Sequence, residues 1–530
     1  MTQLTLQDAL RMAWERQQSG QFADAESIYR QILAVDPAQP QAVYGMGIAA
    51  ARQGKPDALE WLQRAGELAP GAFEVQYNLG LCLYSRGRVD EALHYYQRSV
   101  ELKADSPEAH NSIGIALSDR SQFDGALAAY DRAIRLRPTY PEAHYNRGNL
   151  LQVTGRFDEA EAEYRAALAA RPNYALAHNN LASVLRSRGR FDDAVASARQ
   201  AIAFRPDLAD AHLNLGMMLL MLGQFEEGAR EYEWRWRTDE YRRFARALPG
   251  PLWDGSPPRD PARSTLLLHS EQGFGDTIQF VRHIHFCIDQ GWRVLLECQP
   301  ELLRLLQQND GLGATVLRGD PTGRPPAQAF HAHLPLASVP LVLGQLDPTE
   351  PTGPYLHAPA AERAIWRQRL QAAGPGPRIG LVWAGSRAHK NDRNRSIRLA
   401  DLAPLGRVPA RFFSLQIGPA TDQLRQPPPG LSIIDLSESI HDFADTAAAL
   451  AELDLLISVD TALVHLAGAL GRPAWVLLPF VPDFRWLLGR SDSPLYPSLR
   501  LFRQDRPGDW HNAIGRLTDE LLGTFPAKSS

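Results

Sequence analysis

The sequence predicts an α-helical solenoid followed by two α/β lobes. Three observations carry that prediction. The first half repeats itself every 34 residues. The second half alternates short apolar runs, glycine-bearing turns and segments of helical period. Proline- and glycine-rich seams at 249–258 and 374–377 punctuate the chain. At 530 residues the chain exceeds a single core.

Composition narrows the function classes. With 44% hydrophobic and 22% charged residues the chain is not disordered. A net charge of -4 argues against nucleic acid or an anionic membrane as partners held by bulk charge. The three cysteines, Cys82, Cys287 and Cys298, form no CxxC pair, so neither a disulfide framework nor a cysteine zinc site is expected, and a reducing compartment fits. The N-terminus lacks a basic segment followed by an apolar core. The most apolar stretch, 453–481, is interrupted by Asp454, Asp460, His465 and Arg472-Pro473, and reads as buried strand–helix–strand rather than a membrane span. A cytoplasmic protein without membrane insertion is expected.

In the first half, Gly80, Gly114, Gly148, Ala182 and Gly216 stand 34 apart. Small residues come after each of them at Ala92, Ala126, Ala160, Ala194 and Gly228, then aromatics at Tyr96, Tyr130, Tyr164 and Tyr232, with Ala198 as the exception. Pro138, Pro172 and Pro206 close three units. Two earlier units show Ala13/Ala25/Tyr29/Pro37 and Gly47/Ala58/Trp61/Pro70, the second one residue short. Small residues let antiparallel helices cross closely, the aromatic is expected to fill the gap to the next pair, and proline ends the second helix. The pattern resembles the tetratricopeptide repeat, which implies about seven units over residues 6–240 and a concave groove.

Two columns in the first helices bear on partners. Asn78, Asn146, Asn180 and Asn214 occupy one station, with Ser112 breaking the series. A primary amide matches one peptide unit in donor and acceptor, so the column could hold an extended polypeptide; local hydrogen bonding is the competing account. It looks like the asparagine ladder of the O-linked N-acetylglucosamine transferases. His110, His144, His178 and His212 form the other column. Neighbouring repeats lie ~10 Å apart, too far for ligands that converge within ~2 Å of a zinc ion, so packing between helices is expected. The cluster from Glu231 to Trp236 is expected to cap the solenoid or dock it on the second half of the chain.

After a linker at 241–261, Ser264–His269 reads as a strand, 270–276 as a glycine turn, 277–288 as a helix and 292–297 as a strand, which is a βαβ unit. A loop surrounds Asp320 to Pro326 and a helix runs over 362–373. Beyond the 374–377 seam, strands are expected at 378–383, 411–416, 432–435, 453–459 and 474–478. Two Rossmann-like lobes, 262–373 and 374–530, place a ligand cleft at the carboxyl ends of these strands.

Candidate residues sit at those ends. Gly273 and Gly275 allow close backbone approach at a helix start, and Asp276 is placed to accept a proton from a hydroxyl or, alternatively, to cap the helix. Lys390, Arg393 and Arg395 could neutralise a diphosphate, or form a solvated loop. Asp460 could hold sugar hydroxyls, Thr461 a phosphate, and His465 lies one turn on; a capping Asp with a core histidine is the alternative. Trp383, Gln416, Trp486 and Arg490 are candidates for a base pocket, with core packing the competing role for both tryptophans.

These lobes look like a GT-B glycosyltransferase. The nearest likeness is to the lipopolysaccharide heptosyltransferases, through Gly275-Asp276 and through Asp460-Thr461 followed by His465-Leu466-Ala467. The resemblance, over roughly 262–530, implies Asp276 as catalytic base, Asp460, Thr461 and His465 as donor ligands, and Lys390 at the diphosphate. Ala462 stands where the family has glycine, and the first lobe is short, so neither a heptose donor nor a lipopolysaccharide acceptor is carried over. The whole plan is similar to protein O-glycosyltransferases and to repeat-fused bacterial enzymes that glycosylate flagellin. The expectation is an inverting transferase that moves a sugar from a nucleotide-sugar to Ser or Thr of a protein. It needs no metal or other cofactor, because no D-x-D motif stands in a suitable place. The rivals are a repeat scaffold with a degenerate nucleotide-binding domain, and transfer to a glycan or lipid.

Overall fold

The computed structural model describes residues 5–320, 322–347 and 353–526. The chain forms two compact units, Met1–Leu185 with Ala203–Pro206, and Arg186–Ile202 with Asp207–Ser530.

The N-terminal half is a helical solenoid. Its helices pair as α1 (Leu6–Gln18) with α2 (Phe22–Val35), α3 (Pro40–Arg52) with α4 (Ala58–Leu68), α5 (Phe73–Tyr84) with α6 (Val89–Leu102), α7 (Pro107–Asp119) with α8 (Phe123–Leu136), and α9 (Pro141–Val153) with α10 (Phe157–Ala170). They continue as α11 (Ala175–Ser187), α12 (Phe191–Phe204), α13 (Ala209–Met221) and α14 (Phe225–Tyr232). Proline opens α3, α7 and α9, where a missing N–H costs nothing. Each turn between paired helices uses a left-handed residue: Gly20, Gly54, Gly87, Ser121, Gly155, Gly189 and Gly223.

The crossing glycines do what their spacing implies. A Cβ added at Gly80, Gly114 or Gly148 would meet the ring of Tyr96, Tyr130 or Tyr164 at 2.7, 2.5 and 2.8 Å. These tyrosines therefore fill the crossing of their own pair, and Tyr96 and Tyr164 also meet Ser112 and Asn180 of the next, as expected. Tyr29 reaches forward with its ring, onto Gly45 of the following pair. In the shortened second unit, Leu62 and not Trp61 faces Gly47; Trp61 turns aside to donate to Asp57 at 3.2 Å.

The other unit carries two wholly parallel sheets. The first contains β1 (Thr265–His269), β2 (Arg293–Cys298), β3 (Thr315–Arg318) and β4 (Ala332–Pro335), in the order β3-β2-β1-β4. The second contains β5 (Arg378–Val382), β6 (Arg411–Ser414), β7 (Ile433–Asp435), β8 (Leu455–Val459), β9 (Ala474–Leu478) and β10 (Leu499–Arg503), in the order β10-β9-β8-β5-β6-β7. β3, β4 and β10 go beyond the strands expected from the sequence. β3 has four residues, exposed at both ends, and β4 ends in a proline, so neither shows a strand-length apolar run.

β1, β5, β8 and β9 are buried almost throughout, as strands covered on both faces must be. Ile379, Leu381 and Trp383 face the helix His511–Thr524. The opposite face shares one core with the first sheet, in which Leu266, Leu268 and Leu296 join Val382, Leu456 and Val476. The helix expected at 277–288 begins earlier, at Phe274, and breaks at Val281–His283, where Arg282 turns to donate to the Leu495 carbonyl at 3.1 Å. Within 241–261, Trp253 is buried against Trp292.

The cluster after α14 docks on the first sheet. Arg235, wholly buried, donates to Glu233, to Glu271 beyond β1 at 3.0 Å and to Ser338 at 2.7 Å, and lies over the Tyr232 and Trp236 rings. Burial pushes the Glu271 carboxyl up to about 7, despite the Arg235 charge beside it.

Candidate functional site

The strand order of the second sheet reverses between β5 and β8, which are parallel neighbours although far apart in sequence. In doubly wound sheets the crevice beyond such strand ends is where ligands bind. β5 leads into the loop 384–395 and β8 into Asp460-Thr461, so both sequence candidates flank this point. The loop is held from within. Gln416 accepts from Trp383 and Ala384 N–H at 3.1 and 2.9 Å and donates to the Ala384 and Ile417 carbonyls. Its amide is thus occupied by backbone, where a direct role in a base pocket was expected. Ser396 accepts the Gly385 N–H, and the Arg395 guanidinium lies against Gly385, where a Cβ would sit 2.6 Å from it. Arg395 then donates to the Asp460 carbonyl at 3.0 Å, tying the two strand ends together. Thr461 caps the helix Ala462–Ala469 by backbone geometry alone, its hydroxyl lying 3.1 Å from Ser458 Oγ.

The first sheet brings its motif to the same place. Gly273 is the N-cap of Phe274–Phe280, and Asp276 accepts its N–H at 2.9 Å, which is the capping role weighed for this residue. A Cβ at Gly275 would meet the His465 ring at 2.8 Å, so the glycine is what lets these two helices touch. Arg485, from the turn Phe484–Trp486, donates to the other oxygen of Asp276, to Asp483 at 2.7 Å and to Gln279 at 2.7 Å. His465 is bonded to the Tyr496 hydroxyl at 3.1 Å and stacks on Trp486. The Trp486 indole N–H faces Asp460 without closing a hydrogen bond.

Charge and burial oppose each other here. Burial, reinforced by the Asp483 charge, pushes the Asp460 carboxyl up to about 6. Burial also acts on Asp483, but the charge and hydrogen bonds of Arg485 outweigh it and leave the group below the usual carboxylate range. Burial and the Arg485 charge press His465 down to about 3, so it is a neutral ring. Burial lowers His389 as well, with Arg395 adding to it, and both Asp483 and Asp276 act on it in the opposite sense. Asp276, Arg395, Asp460 and His465 therefore form one electrostatic neighbourhood with two residues that sequence reasoning missed, Arg485 and Asp483.

The remaining candidates lie differently. Lys390 turns outward to an ion pair with Glu240 at 2.6 Å, and Arg393 is exposed, so Lys390, Arg393 and Arg395 do not act as a unit. Arg490 pairs with Asp492. Trp383 and Trp486 are fully buried, as packing requires.

In the repeats, Asn78 donates to the Tyr44 hydroxyl at 2.8 Å, Asn146 to Asn111 at 3.0 Å, and Asn180 to Asn149 at 2.8 Å, each contact joining successive pairs. Asn214 lies in α13, half-buried. The histidine column has a shared task. His110, His144 and His178 bond through Nε2 to the carbonyls of Ala104, Pro138 and Pro172, in the turn just past the preceding helix. His212 stacks on Trp234 with ring centres 3.7 Å apart. Among the described residues no group of three or more His, Cys, Asp or Glu is placed to hold a metal ion, and no helix is long and apolar enough to cross a membrane.

Comparison with known proteins agrees with the repeats. Tetratricopeptide-repeat profiles match residues 10–65, 73–106, 140–207 and 179–239, and a TPR-repeat profile matches 116–155. The N-terminal half is therefore built of tetratricopeptide repeats, a scaffold for binding protein partners. Protein FlbA of Caulobacter vibrioides is 25% identical over 300 residues, covering 52% of this chain and 48% of FlbA. The chain thus spans about half the length of that curated relative. Among solved structures, the APC/C hetero-tetramer Cut9-Hcn1 is similar at 20% identity and TM-score 0.37, over 40% of this chain and 42% of that one. YrrB, described as a TPR protein with an unusual peptide-binding site, is similar at 20% identity and TM-score 0.30, over 34% of this chain and 95% of that one.

Proposed function

We propose that the chain is an inverting glycosyltransferase of GT-B type, moving a sugar from a nucleotide-sugar to a Ser or Thr of a protein acceptor brought by the repeats. In this reading 6–240 presents the acceptor, 241–261 links, 262–373 carries the base and 374–530 holds the donor. One observation supports it above the others: the Asp276 helix rests on the helix that starts after Asp460-Thr461, beyond the reversal point of the second sheet, with Arg485 and Asp483 between the carboxylates.

The chemistry is a consequence of that arrangement. The acceptor oxygen attacks the anomeric carbon while its proton passes to Asp276, whose oxygens are oriented by the Gly273 N–H and Arg485. The bond from the anomeric carbon to the diphosphate oxygen breaks. The start of Ala462–Ala469 and Arg395 receive the departing charge. Asp460 accepts from the sugar hydroxyls.

The test is incubation of the full chain with a panel of nucleotide-sugars and host lysate, read by mass spectrometry of the proteins. A sugar-sized mass increment that survives EDTA and falls by about 10²–10⁴ in Asp276→Asn is expected. Asp276→Asn with unchanged transfer removes the base from the mechanism. A second reading, a scaffold whose α/β half only senses a nucleotide, is favoured by the engagement of both Asp276 oxygens within the protein. Nucleotide binding with no transfer to any protein would select it.

A further inference from the structure

Arg485 has a second neighbourhood. Besides meeting Asp276, it lines a cavity of about 130 Å³ between the end of the repeats and the first sheet. Most of the wall is apolar, with Phe225, Phe280, Phe286, Leu341, Leu487 and Leu495 prominent, while Glu233, Arg282 and Asp347 line it beside Arg485. An apolar cavity of roughly 150 Å³ is known to stay dry and to accept a benzene ring, so this one is the size of a single aromatic side chain.

The walls are fixed against collapse. Arg485 is held by Asp276, Asp483 and Gln279 at once. Next to it Leu487 holds φ 48 and ψ −171, a left-handed backbone that a branched side chain adopts only when its surroundings impose it. Arg485 already lies 4.4 Å from the centre of the Phe484 ring, and its guanidinium presents a cation to any further ring that enters. An aliphatic occupant would forgo both the cation and the edges of the phenyl rings.

We propose that this cavity seats a phenylalanine side chain of the protein acceptor, close in sequence to the accepting Ser or Thr. The proposal rests on the transferase reading, because Arg485 is what joins the cavity to Asp276. Arg485 both lines the cavity and donates to Asp276, so one side chain connects the two places. An extended chain advances ~3.3–3.6 Å per residue, so the phenylalanine lies within about three residues of the reacting hydroxyl.

Donor-free binding to the full chain tests it, using fluorescent serine peptides of Gly and Ala that carry either one Phe next-but-one to the serine or Ala in its place. The Phe peptides are expected to bind at least about tenfold tighter, benzene to raise the melting temperature and to displace the Phe peptides only, and Ala337→Phe, which grows a ring from the cavity wall, to erase the difference. Equal affinity for the two peptides, or indifference to benzene, overturns the site whether or not the variant folds. Because no donor is present, failure here beside intact transfer refutes the cavity alone. Phe-selective binding without transfer to any protein refutes the transferase and leaves the ring site standing.

Discussion

The repeats and the α/β half use polar residues in opposite ways. In the repeats polar stations are closed by near neighbours: histidine and asparagine by the preceding pair, arginine by a glutamate three residues on along the surface. In the α/β half charged groups from distant segments are gathered at one half-buried place, as Asp276, Asp460, Asp483 and Arg485 are. Periodicity forces the first pattern, because a station must satisfy its partner in every copy. Only a non-repeating fold can concentrate charge at one place, and that concentration marks the candidate site.

Removing one buried partner sharpens this contrast most. Arg235→Met leaves Glu271 and Glu233 facing a methionine, and a loss of about 3–5 kcal/mol is expected in denaturant unfolding of the α/β unit. The surface counterpart in the repeats, Arg156→Ala, which breaks an exposed pair with Glu159, should leave the unfolding midpoint where it was. A comparable cost in the two variants would dissolve the distinction.

Overpacking probes the repeats on their own terms. Gly148→Val thrusts methyl groups into Tyr164 and should cost about 1–3 kcal/mol, whereas the same change at exposed Gly311, with nothing near its Cβ, should cost less.

Histidine titration compares the halves directly. The Glu163 carboxylate raises His144 above its ordinary value, so its stabilising contribution is complete at low pH and is lost as pH climbs through that raised value. His465 behaves inversely. Its folded value is about 3, so below about 6.5 the unfolded chain takes up a proton that the folded chain refuses, and stability falls as pH drops. NMR should show the His144 ring titrating above pH 6.5, and no midpoint for His465 between about pH 5 and 8.

The smallest effect lies in the turns. Ser121 takes a left-handed position, φ 58, that glycine fills in the other pairs, and Ser121→Gly should stabilise by roughly 0.5–1 kcal/mol in the same unfolding assay.

Legibility divides along the same line. The solenoid was readable because each station recurs, so a single misplaced residue such as Trp61 did not hide the period. The buried strands β1, β5, β8 and β9 announced themselves as apolar runs, while β3 and β4 were too short to do so. Asp276, Asp460, Thr461 and His465 were findable because a glycine or acid after an apolar run marks a strand end. Arg485 was not, for its partner Asp276 lies 209 residues away and nothing local distinguishes its turn. The cations of 390–395 misled in the other direction: a charged loop at a strand end looks like a ligand site, yet only Arg395 turns inward.

A structure of the full chain with an intact nucleotide-sugar bound tests the central claim most directly. The account predicts the diphosphate at the start of Ala462–Ala469 within hydrogen-bond reach of Thr461 and Arg395, and the anomeric carbon facing Asp276. A ligand seated at the opposite ends of these strands, or with its sugar turned away from Asp276, would contradict it.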